Sequence, residues 1–203
     1  DICLSHDYHL EWKCHDFKTF VYSVEIRNMI YKAISGETEA ICDINEQLGQ
    51  VYASSIKKFL GNRNIDMIAL HGQTIGHEDG ISTTQIGNPF YMFKEYGVPV
   101  IYNFRQGDID SGGNGAPLMP FLDWLLFKDC IENTITLNLG GIANISFIPA
   151  SGNRDEVMGF DTGPGMALMD ETCREVWCIN MDQDGIKTAQ GNVNTELLNK
   201  LMK

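Results

Sequence analysis

The segment at residues 159–165, GFDTGPG, restricts the fold more strongly than any other part of the chain. Apolar residues at 157–160 predict the end of a buried strand, and residues 166–174 place apolar side chains at helical spacing. Between them, the glycines allow a backbone turn that larger side chains would hinder, and the proline stiffens it. The segment therefore predicts a strand, a glycine-rich turn and a helix, in that order.

Asp161 is the candidate catalytic residue of this segment, because it is predicted to lie at the strand end just before the turn. A carboxylate in that position can act as an ionised general base beside backbone amides that bind an anion. Gly163 and Gly165 of the turn are accordingly candidates for cofactor contacts. A simpler interpretation, in which Asp161 only caps the helix, fits the segment taken alone.

Composition limits the class of protein and its partners. The 203 residues suffice for one large domain or two small ones, and no internal boundary is predicted. The net charge of −12 argues against nucleic acid or an anionic membrane surface as a partner, although backbone amides or a metal could still hold a phosphate. Six scattered cysteines without a CxxC pair favour reduced thiols in the cytoplasm over a zinc site or a disulfide framework. No apolar run is long enough to predict a membrane span.

Hydrophobic periodicity predicts alternating strands and helices. The predicted strands are 2–8, 17–24, 65–70, 82–86, 99–102, 134–139 and 145–148, the first two forming a hairpin. The predicted helices are 24–34, 39–60, 89–96, 118–127 and one from about 193. The apolar stripe of the helix at 39–60 is interpreted as core without chemistry.

Two polar segments follow predicted strands, a common design for sites in α/β folds. Residues 71–77, HGQTIGH, are predicted to be a loop, and the histidines do not match the HExxH zinc pattern. Residues 103–117, NFRQGDIDSGGNGAP, form a predicted loop that is long for a simple connection. We interpret it as a loop that holds a polar substrate, with Arg105 as a planar donor. The alternative is a flexible surface loop with an incidental Arg–Asp pair.

The segment at residues 138–144, NLGGIAN, joins two predicted strands through a pair of glycines. Such a turn is typical of a β-hairpin. The same composition suits a phosphate-binding hairpin, because glycines let backbone N–H groups approach an anion. Both interpretations fit the segment alone.

Four segments, HGQTIGH, NFRQGDIDSGGNGAPLMP, NLGGIANIS and GFDTGPGMALMD, together resemble the anhydro-N-acetylmuramic acid kinase family. The resemblance implies an α/β fold of the actin/hexokinase/Hsp70 (ribonuclease H-like) type, with a mixed sheet and packed helices. It covers the whole chain, as most of an N-terminal lobe and the start of a second lobe. Members of the family carry an N-terminal glycine-rich loop, MSGTSLDG, and a C-terminal half that holds the adenosine side of the nucleotide site. We therefore expect the chain to be a fragment cut at both ends.

The resemblance also implies an activity and the residues that support it. ATP, with Mg²⁺, phosphorylates O6 of 1,6-anhydro-N-acetylmuramic acid while water opens the anhydro bridge, a step in peptidoglycan recycling. Asp161 is the implied base for the water, and Met166 stands where the family usually has Asn. The implied sugar contacts are His71, Gln73, Thr74, Gln85, Asn88, Arg105 and Asp108. The implied cofactor contacts are Asn138, Gly140, Gly141, Gly163 and Gly165, with no protein metal site. A cytoplasmic enzyme that forms a homodimer is expected.

Two other functions fit parts of the sequence. A sugar-binding module without catalysis would keep the pocket and lack the nucleotide loops. An aspartic protease is suggested by residues 160–163, FDTG, but such enzymes need two carboxylates that share a proton, from two motifs or a homodimer. Only one Asp-Thr-Gly occurs, and a helix is predicted to follow it.

Overall fold

The chain divides into two compact units, one up to Leu118 and one from Met119 onward. A computed structural model describes residues 14–129 and 131–202. The first unit contains four helices and four short strands among its described residues: α1 Val24–Ile34, α2 Thr38–Leu60, β1 Ile68–Ala69, β2 Gln73–Glu78, β3 Ser82–Ile86, α3 Phe90–Tyr96, β4 Val100–Ile101 and α4 Phe104–Asp110.

The core of the first unit lies between α1, α2 and β3. Ile30 of α1, Ile44 and Leu48 of α2, and Ile86 of β3 are buried together. These α2 positions recur at helical spacing, which explains why the apolar stripe of the sequence packs as one face. The side chain of Ser23 caps α1 by accepting a hydrogen bond from the Ile26 amide, at 3.3 Å.

The strands of the first unit form two small sheets. β1 and β4 pair in parallel, and β2 and β3 pair antiparallel, with Thr74 opposite Gln85. An irregularity in the β2 register between Thr74 and Gly76 bends the ladder. Polar side chains at the ends of these strands are therefore brought to one region of the unit.

The second unit is built on a three-stranded antiparallel sheet in the order β5-β6-β7. Its strands are β5 Thr134–Leu139, β6 Ile142–Ile148 and β7 Met158–Pro164, and its helices are α5 Met119–Phe127, α6 Ala167–Trp177 and α7 Thr195–Leu201. Short 3₁₀ turns occur at Arg154–Glu156, Gln183–Gly185 and Thr188–Gln190.

Helix α5 covers one face of this sheet through a buried polar cluster. The carboxylate of Asp123 is buried, and its Oδ2 accepts hydrogen bonds from the hydroxyls of Thr136 on β5, at 2.7 Å, and Ser146 on β6, at 2.6 Å. Thr136 and Ser146 are register partners and so share this face. The cluster satisfies two buried polar side chains, Asp123 and Ser146, together with the half-buried Thr136, and fixes α5 on the hairpin.

The opposite face of the sheet is apolar and open. Ile135 and Leu137 of β5 and Phe160 of β7 are 65%, 61% and 51% exposed. They lie on the face away from Asp123, because side chains alternate along each strand and Thr136 and Gly159 face α5. Within the described residues the sheet therefore buries one face only.

The Asp123 cluster leads to a stability prediction. Replacing Asp123→Ala removes the acceptor of one buried hydroxyl, that of Ser146, and one half-buried hydroxyl, that of Thr136, so we expect the free energy of unfolding to fall by about 2 kcal/mol. Asp123→Asn is the matched control, because its amide oxygen can still accept both hydroxyls, and it should lose much less. Urea denaturation monitored by circular dichroism measures both variants. Equal losses would mean that the hydroxyl contacts are not what stabilises the cluster.

Several predicted elements are confirmed, and the mixed α/β class is confirmed with them. The helices α1, α2, α3 and α5 match the prediction closely, as do strands β3 and β5. The predicted strand at 2–8 lies outside the described residues. No helix in the described parts of the chain combines the length and apolarity that a bilayer crossing requires.

Four predictions of local structure are wrong. Residues 17–23 form no strand, since they pair with no residue that the structure describes and lead directly into the cap of α1. Residues 73–78 are a strand rather than a loop, because β3 supplies a ladder for them. The predicted loop at 103–117 begins with a helix, α4. The glycine-rich turn at 159–165 is mostly strand, because β7 pairs with β6 as far as Pro164.

Candidate functional site

A polar cleft of about 300 Å³ lies in the first unit where β1, β3 and β4 end. Its size is at the lower end of the range for small-molecule sites and suits a single sugar ring. Six of its lining residues offer polar side chains: Asn45, His71, Gln85, Asn88, Tyr102 and Asn103. Three of the seven predicted sugar contacts, His71, Gln85 and Asn88, therefore line one cleft.

The imidazole of His71 is held in a single neutral tautomer by its neighbours. Nε of Arg105 lies 3.0 Å from Nε2 of His71, and a guanidinium N–H can only donate, so Nε2 accepts. The proton of the neutral ring is then on Nδ1, which lies 2.9 Å from the Gly72 carbonyl oxygen and donates to it. Both ring nitrogens are used, so His71 shapes the cleft and is a poor candidate for a general base.

Arg105 and Asp108 both form hydrogen bonds with the backbone of Gly115. Nη1 of Arg105 donates to the Gly115 carbonyl oxygen at 2.9 Å, and Oδ2 of Asp108 accepts from the Gly115 amide at 2.8 Å. No ion pair joins Arg105 to Asp108 within the described ranges. The two charged side chains thus fold the segment after α4 back onto that helix, and Arg105 links this loop to His71 at the cleft.

The other predicted sugar contacts lie on the hairpin of β2 and β3. Nε2 of Gln85 donates to the hydroxyl of Thr83 at 2.6 Å and, at 3.4 Å, to that of Thr74. Gln85 lines the cleft, and its amide oxygen accepts no hydrogen bond from a described residue. Nε2 of Gln73 donates to the Thr74 carbonyl at 3.2 Å, so Gln73 and Thr74 support Gln85 from the neighbouring strand and are absent from the cleft wall.

In the second unit, Asp161 belongs to a polar row that crosses all three strands. Asn138 of β5 pairs with Asn144 of β6, which pairs with Asp161 of β7. At the usual strand spacing, the first and last members of the row are about 10 Å apart. Beyond Asp161 the register shifts, and Thr162 is the extra residue of a bulge, with its hydroxyl donating to the Ala143 carbonyl at 3.2 Å.

The carboxylate of Asp161 is exposed and makes no hydrogen bond or ion pair with any residue that the structure describes. The interpretation of Asp161 as a helix cap is wrong. Helix α6 begins at Ala167, its N-cap is Met166, and no side chain caps it. The last residues of β7, 162–164, lie between Asp161 and that helix. The side chain is therefore available to a ligand.

The N-terminus of α6 is docked on the glycine hairpin between β5 and β6. The Gly165 amide donates to the Gly141 carbonyl at 2.9 Å, and the Met166 amide donates to the Gly140 carbonyl at 2.8 Å. These two amides are consequently used within the protein. At Gly141, which is exposed, no atom lies within 4 Å of where a Cβ would be, so a group can approach this residue from that side, although its carbonyl is used by α6.

Four residues of these regions were not predicted from the sequence: Asn45, Tyr102, Asn103 and Asn144. Asn45 lies on α2 beside the apolar stripe that was interpreted as core without chemistry, and it lines the cleft. A polar residue directly after the buried Ile44 was the available signal. Tyr102 and Asn103 follow β4 directly, and Asn103 has a left-handed backbone with φ of 59°. Among the described residues, no group of three His, Cys, Asp or Glu side chains could hold a metal ion.

The polar cleft of the first unit is typical of a site for a small polar ligand, and the glycine hairpin of the second unit is typical of an anion-binding site. The chain belongs to the anhydro-N-acetylmuramic acid kinase family, whose family model matches residues 2–203. The resemblance carried by the four sequence segments is thereby confirmed.

Curated relatives agree with this assignment. A protein of Clostridioides difficile (strain 630) named anhydro-N-acetylmuramic acid kinase is 38% identical over 201 residues, which cover 92% of this chain and 52% of the relative. Proteins with the same name from Bacillus cereus (strain G9842) and Caldanaerobacter subterraneus are 36% and 33% identical, again over 52% of their lengths. The chain therefore spans about half the length of the curated relatives it matches.

Proposed function

We propose that the chain supplies the sugar cleft and the water-activating base of an ATP-dependent anhydro-N-acetylmuramic acid kinase. The enzyme would open 1,6-anhydro-N-acetylmuramic acid and phosphorylate it to N-acetylmuramic acid 6-phosphate, as part of peptidoglycan recycling. The observation that carries the proposal is the exposed Asp161 carboxylate, which has no partner among the described residues and lies on the polar row next to the glycine hairpin. Membership of the family supplies the reaction class.

Asp161 acts on the water in this proposal. As water attacks C1 of the sugar, Asp161 accepts one of its protons, and the remaining hydroxyl stays on C1. The bond between C1 and O6 breaks, and its electron pair goes to O6, which then bonds to the γ-phosphorus of ATP as ADP leaves. A carboxylate without an internal partner suits this role, because no hydrogen bond within the described structure has to break first.

The sugar contacts come from the cleft of the first unit. His71 and Asn88 line it, Gln85 offers an amide oxygen, and Arg105 fixes the ring of His71. Hydroxyl and acetamido groups of an amino sugar both donate and accept hydrogen bonds, so a wall of neutral amides matches them. Gln73, Thr74 and Asp108 support this wall and the loop beside it.

The phosphate contacts come from the hairpin of the second unit. The open backbone of Gly141, with Gly140 and Asn138 beside it, fits an anion that needs close approach of amides. Gly163 and Gly165 complete the connection to α6. ATP supplies the phosphoryl group when it is bound. Mg²⁺ that accompanies ATP takes most of its ligands from phosphates and water, so it requires no three-residue protein site.

Three wider features belong to the same proposal. The small sheets with packed helices are consistent with the actin/hexokinase type of fold, in which Asp1–Leu118 would form most of the N-terminal lobe. The scattered cysteines and acidic charge support a cytoplasmic location. Formation of a homodimer is proposed from the family resemblance.

Sugar-dependent release of ADP tests the proposed function. The assay uses two proteins. One is the 203-residue chain alone, and the other, called the joined protein, is this chain fused to the part of the Clostridioides difficile relative that it does not match. We expect turnover of 1,6-anhydro-N-acetylmuramic acid by the joined protein, with N-acetylmuramic acid 6-phosphate as the product in mass spectrometry. Release of ADP that does not depend on the sugar, or no turnover by a folded joined protein, would contradict the proposal.

A second candidate is a sugar-binding module without catalysis. It is supported by the cleft of the first unit, whose lining residues all lie in that unit. Calorimetry with the chain alone and turnover by the joined protein together distinguish the two candidates, since the module would bind the sugar and give no turnover in the joined protein.

We predict that the chain alone binds ATP weakly, with a dissociation constant above roughly 1 mM. The physical reason is that, in the second unit, phosphate contacts are proposed from the hairpin at Gly140 and Gly141. The nearby amides of Gly165 and Met166 already donate to carbonyl oxygens of that hairpin and are not free for a phosphate. Isothermal titration calorimetry with Mg²⁺–ATP measures this affinity. Micromolar binding by the chain alone would show that the phosphate site is more complete than we infer.

A further inference from the structure

Helix α2 is fastened to the cleft wall through both the backbone and the side chain of Asn45. The Asn45 carbonyl accepts from the Asn88 amide, and its Oδ1 accepts from the Gly87 amide, each at 2.9 Å. One turn further along α2, a Cβ at Gly49 would lie 2.5 Å from the Asn88 carbonyl oxygen, so only glycine permits this approach. The wall at Gly87–Asn88 thus rests directly on α2.

Glu46 joins this contact at a single half-buried carboxylate. Its Oε1 accepts hydrogen bonds from Nδ2 of Asn88, at 2.8 Å, and from Nδ2 of Asn45, at 3.2 Å. Its Oε2 accepts from the hydroxyl of Tyr91, at 3.0 Å. Within residues 14–129 and 131–202 no lysine, arginine or histidine forms an ion pair with Glu46. The carboxylate is therefore satisfied by neutral donors alone, two of which are amides of the cleft wall.

The two amides are each fixed from both sides. Oδ1 of Asn45 is bonded to the Gly87 amide and Oδ1 of Asn88 to the Phe90 amide, at 2.9 Å in both cases, while each Nδ2 is bonded to Glu46. A flipped amide would set its oxygen against the carboxylate and its NH₂ against a backbone N–H. Each NH₂ group has a second hydrogen that Glu46 does not use. Since both residues line the cleft, these hydrogens are donors for a ligand.

We propose that Glu46 is a positioning residue, which orients the amides of Asn45 and Asn88 so that they donate to acceptor oxygens of the bound sugar. This inference rests on the proposed function, because it takes an amino sugar as the ligand of the cleft. It adds a specificity element on α2, where the sequence indicated only core. A sugar that lacks a hydroxyl, carbonyl or carboxylate oxygen at this wall would not accept hydrogen bonds from these two amides and would bind more weakly.

Side-chain amide exchange tests the positioning without any ligand. In nitrogen-15 NMR spectra of the chain alone, Glu46→Ala should speed solvent exchange of the Asn45 and Asn88 amide protons by at least roughly tenfold, since both lose their acceptor. Glu46→Gln should preserve slow exchange, because its carbonyl can accept both amides while its NH₂ donates to the Tyr91 oxygen. Equal exchange in the unaltered protein and Glu46→Ala would overturn the inference.

Kinetics of the joined protein test the consequence for the sugar. We expect Glu46→Ala to raise KM for the sugar by at least about tenfold. Its kcat and its KM for ATP should stay within about threefold of the values of the unaltered joined protein. Glu46→Gln should keep the KM for the sugar of the unaltered protein. Tyr91→Phe is the matched control, since it removes the third hydrogen bond of Glu46 and leaves both amide contacts. It should lower the melting temperature without changing KM for the sugar.

The outcomes separate this inference from the proposed function. A rise in KM that follows the loss of melting temperature equally in Glu46→Ala and Tyr91→Phe would mean a structural role, and would overturn positioning. Failure of the unaltered joined protein to bind the sugar would instead overturn the proposed function and the sugar contact with it. In that case the exchange experiment still decides whether Glu46 orients the two amides.

Discussion

Replacing Asp161→Asn is expected to lower turnover of the joined protein by at least roughly 10²-fold, the usual scale for removal of a general base. An amide has the size of the carboxylate but cannot accept the proton of the attacking water. Affinity for the sugar should change far less, because the amide can still hydrogen-bond to a hydroxyl. The melting temperature should stay within about 2 °C, since the carboxylate has no internal partner among the described residues to lose.

Asp155→Asn is the matched control for this variant. Asp155 is an exposed carboxylate in the same unit, and its ion pair with Arg154, at 3.7 Å, is fully on the surface. Such a pair contributes little to stability, so the control should keep normal turnover and melting. Near-normal turnover by Asp161→Asn, with normal melting, would remove Asp161 from the mechanism. Equal losses in both variants would point to a general effect of charge.

The long helix α2 shows what sequence periodicity can establish and where it stops. Its bounds were predicted almost to the residue, because an apolar stripe and a terminal Gly61 are local signals. The chemistry on its flank was not predicted. Asn45 and Glu46 gain their roles only when the distant segment at residues 87–91 packs against them, and such a contact leaves no periodic pattern.

Strand β7 shows a second limit. Glycine and proline at residues 163–165 indicated a turn, and in isolation that preference is correct. Pairing with β6 extends the strand to Pro164, and the bulge at Thr162 accommodates the irregular segment. Tertiary hydrogen bonding therefore overrides the local preference. Asp161 was predicted to lie at the end of this strand, and the pairing with β6 places it within the strand instead.

The segment after β4 was mispredicted for a related reason. Residues 104–110, FRQGDID, have no clean apolar stripe, and the glycine within them lowers helix propensity. Helix α4 nevertheless forms, and the bonds of Arg105 and Asp108 to Gly115 fold the following glycines back on it. Arg105 and Asp108 were both predicted as substrate contacts, and the structure shows them bonded to the carbonyl and the amide of Gly115.

Two glycines of the second unit should respond in opposite ways to the addition of one methyl group. A Cβ at Gly165 would lie well inside van der Waals contact of the Gly140 carbonyl oxygen, which is backbone and cannot rotate away. We therefore expect Gly165→Ala to lower the free energy of unfolding by about 3 kcal/mol, because α6 must separate from the hairpin. For a unit of this size, that loss corresponds to a fall in melting temperature of more than about 10 °C.

Gly141→Ala tests the same hairpin without the steric conflict. No atom lies within 4 Å of the new Cβ, so the melting temperature should stay within about 2 °C. If the Gly141 backbone approaches phosphate, the methyl group blocks that approach, and KM for ATP in the joined protein should rise by at least roughly tenfold. Scanning calorimetry and ADP release measure the two effects. A stable Gly165→Ala protein would contradict the docking of α6 on the hairpin, and an unchanged KM for ATP in Gly141→Ala would show that phosphate binds elsewhere.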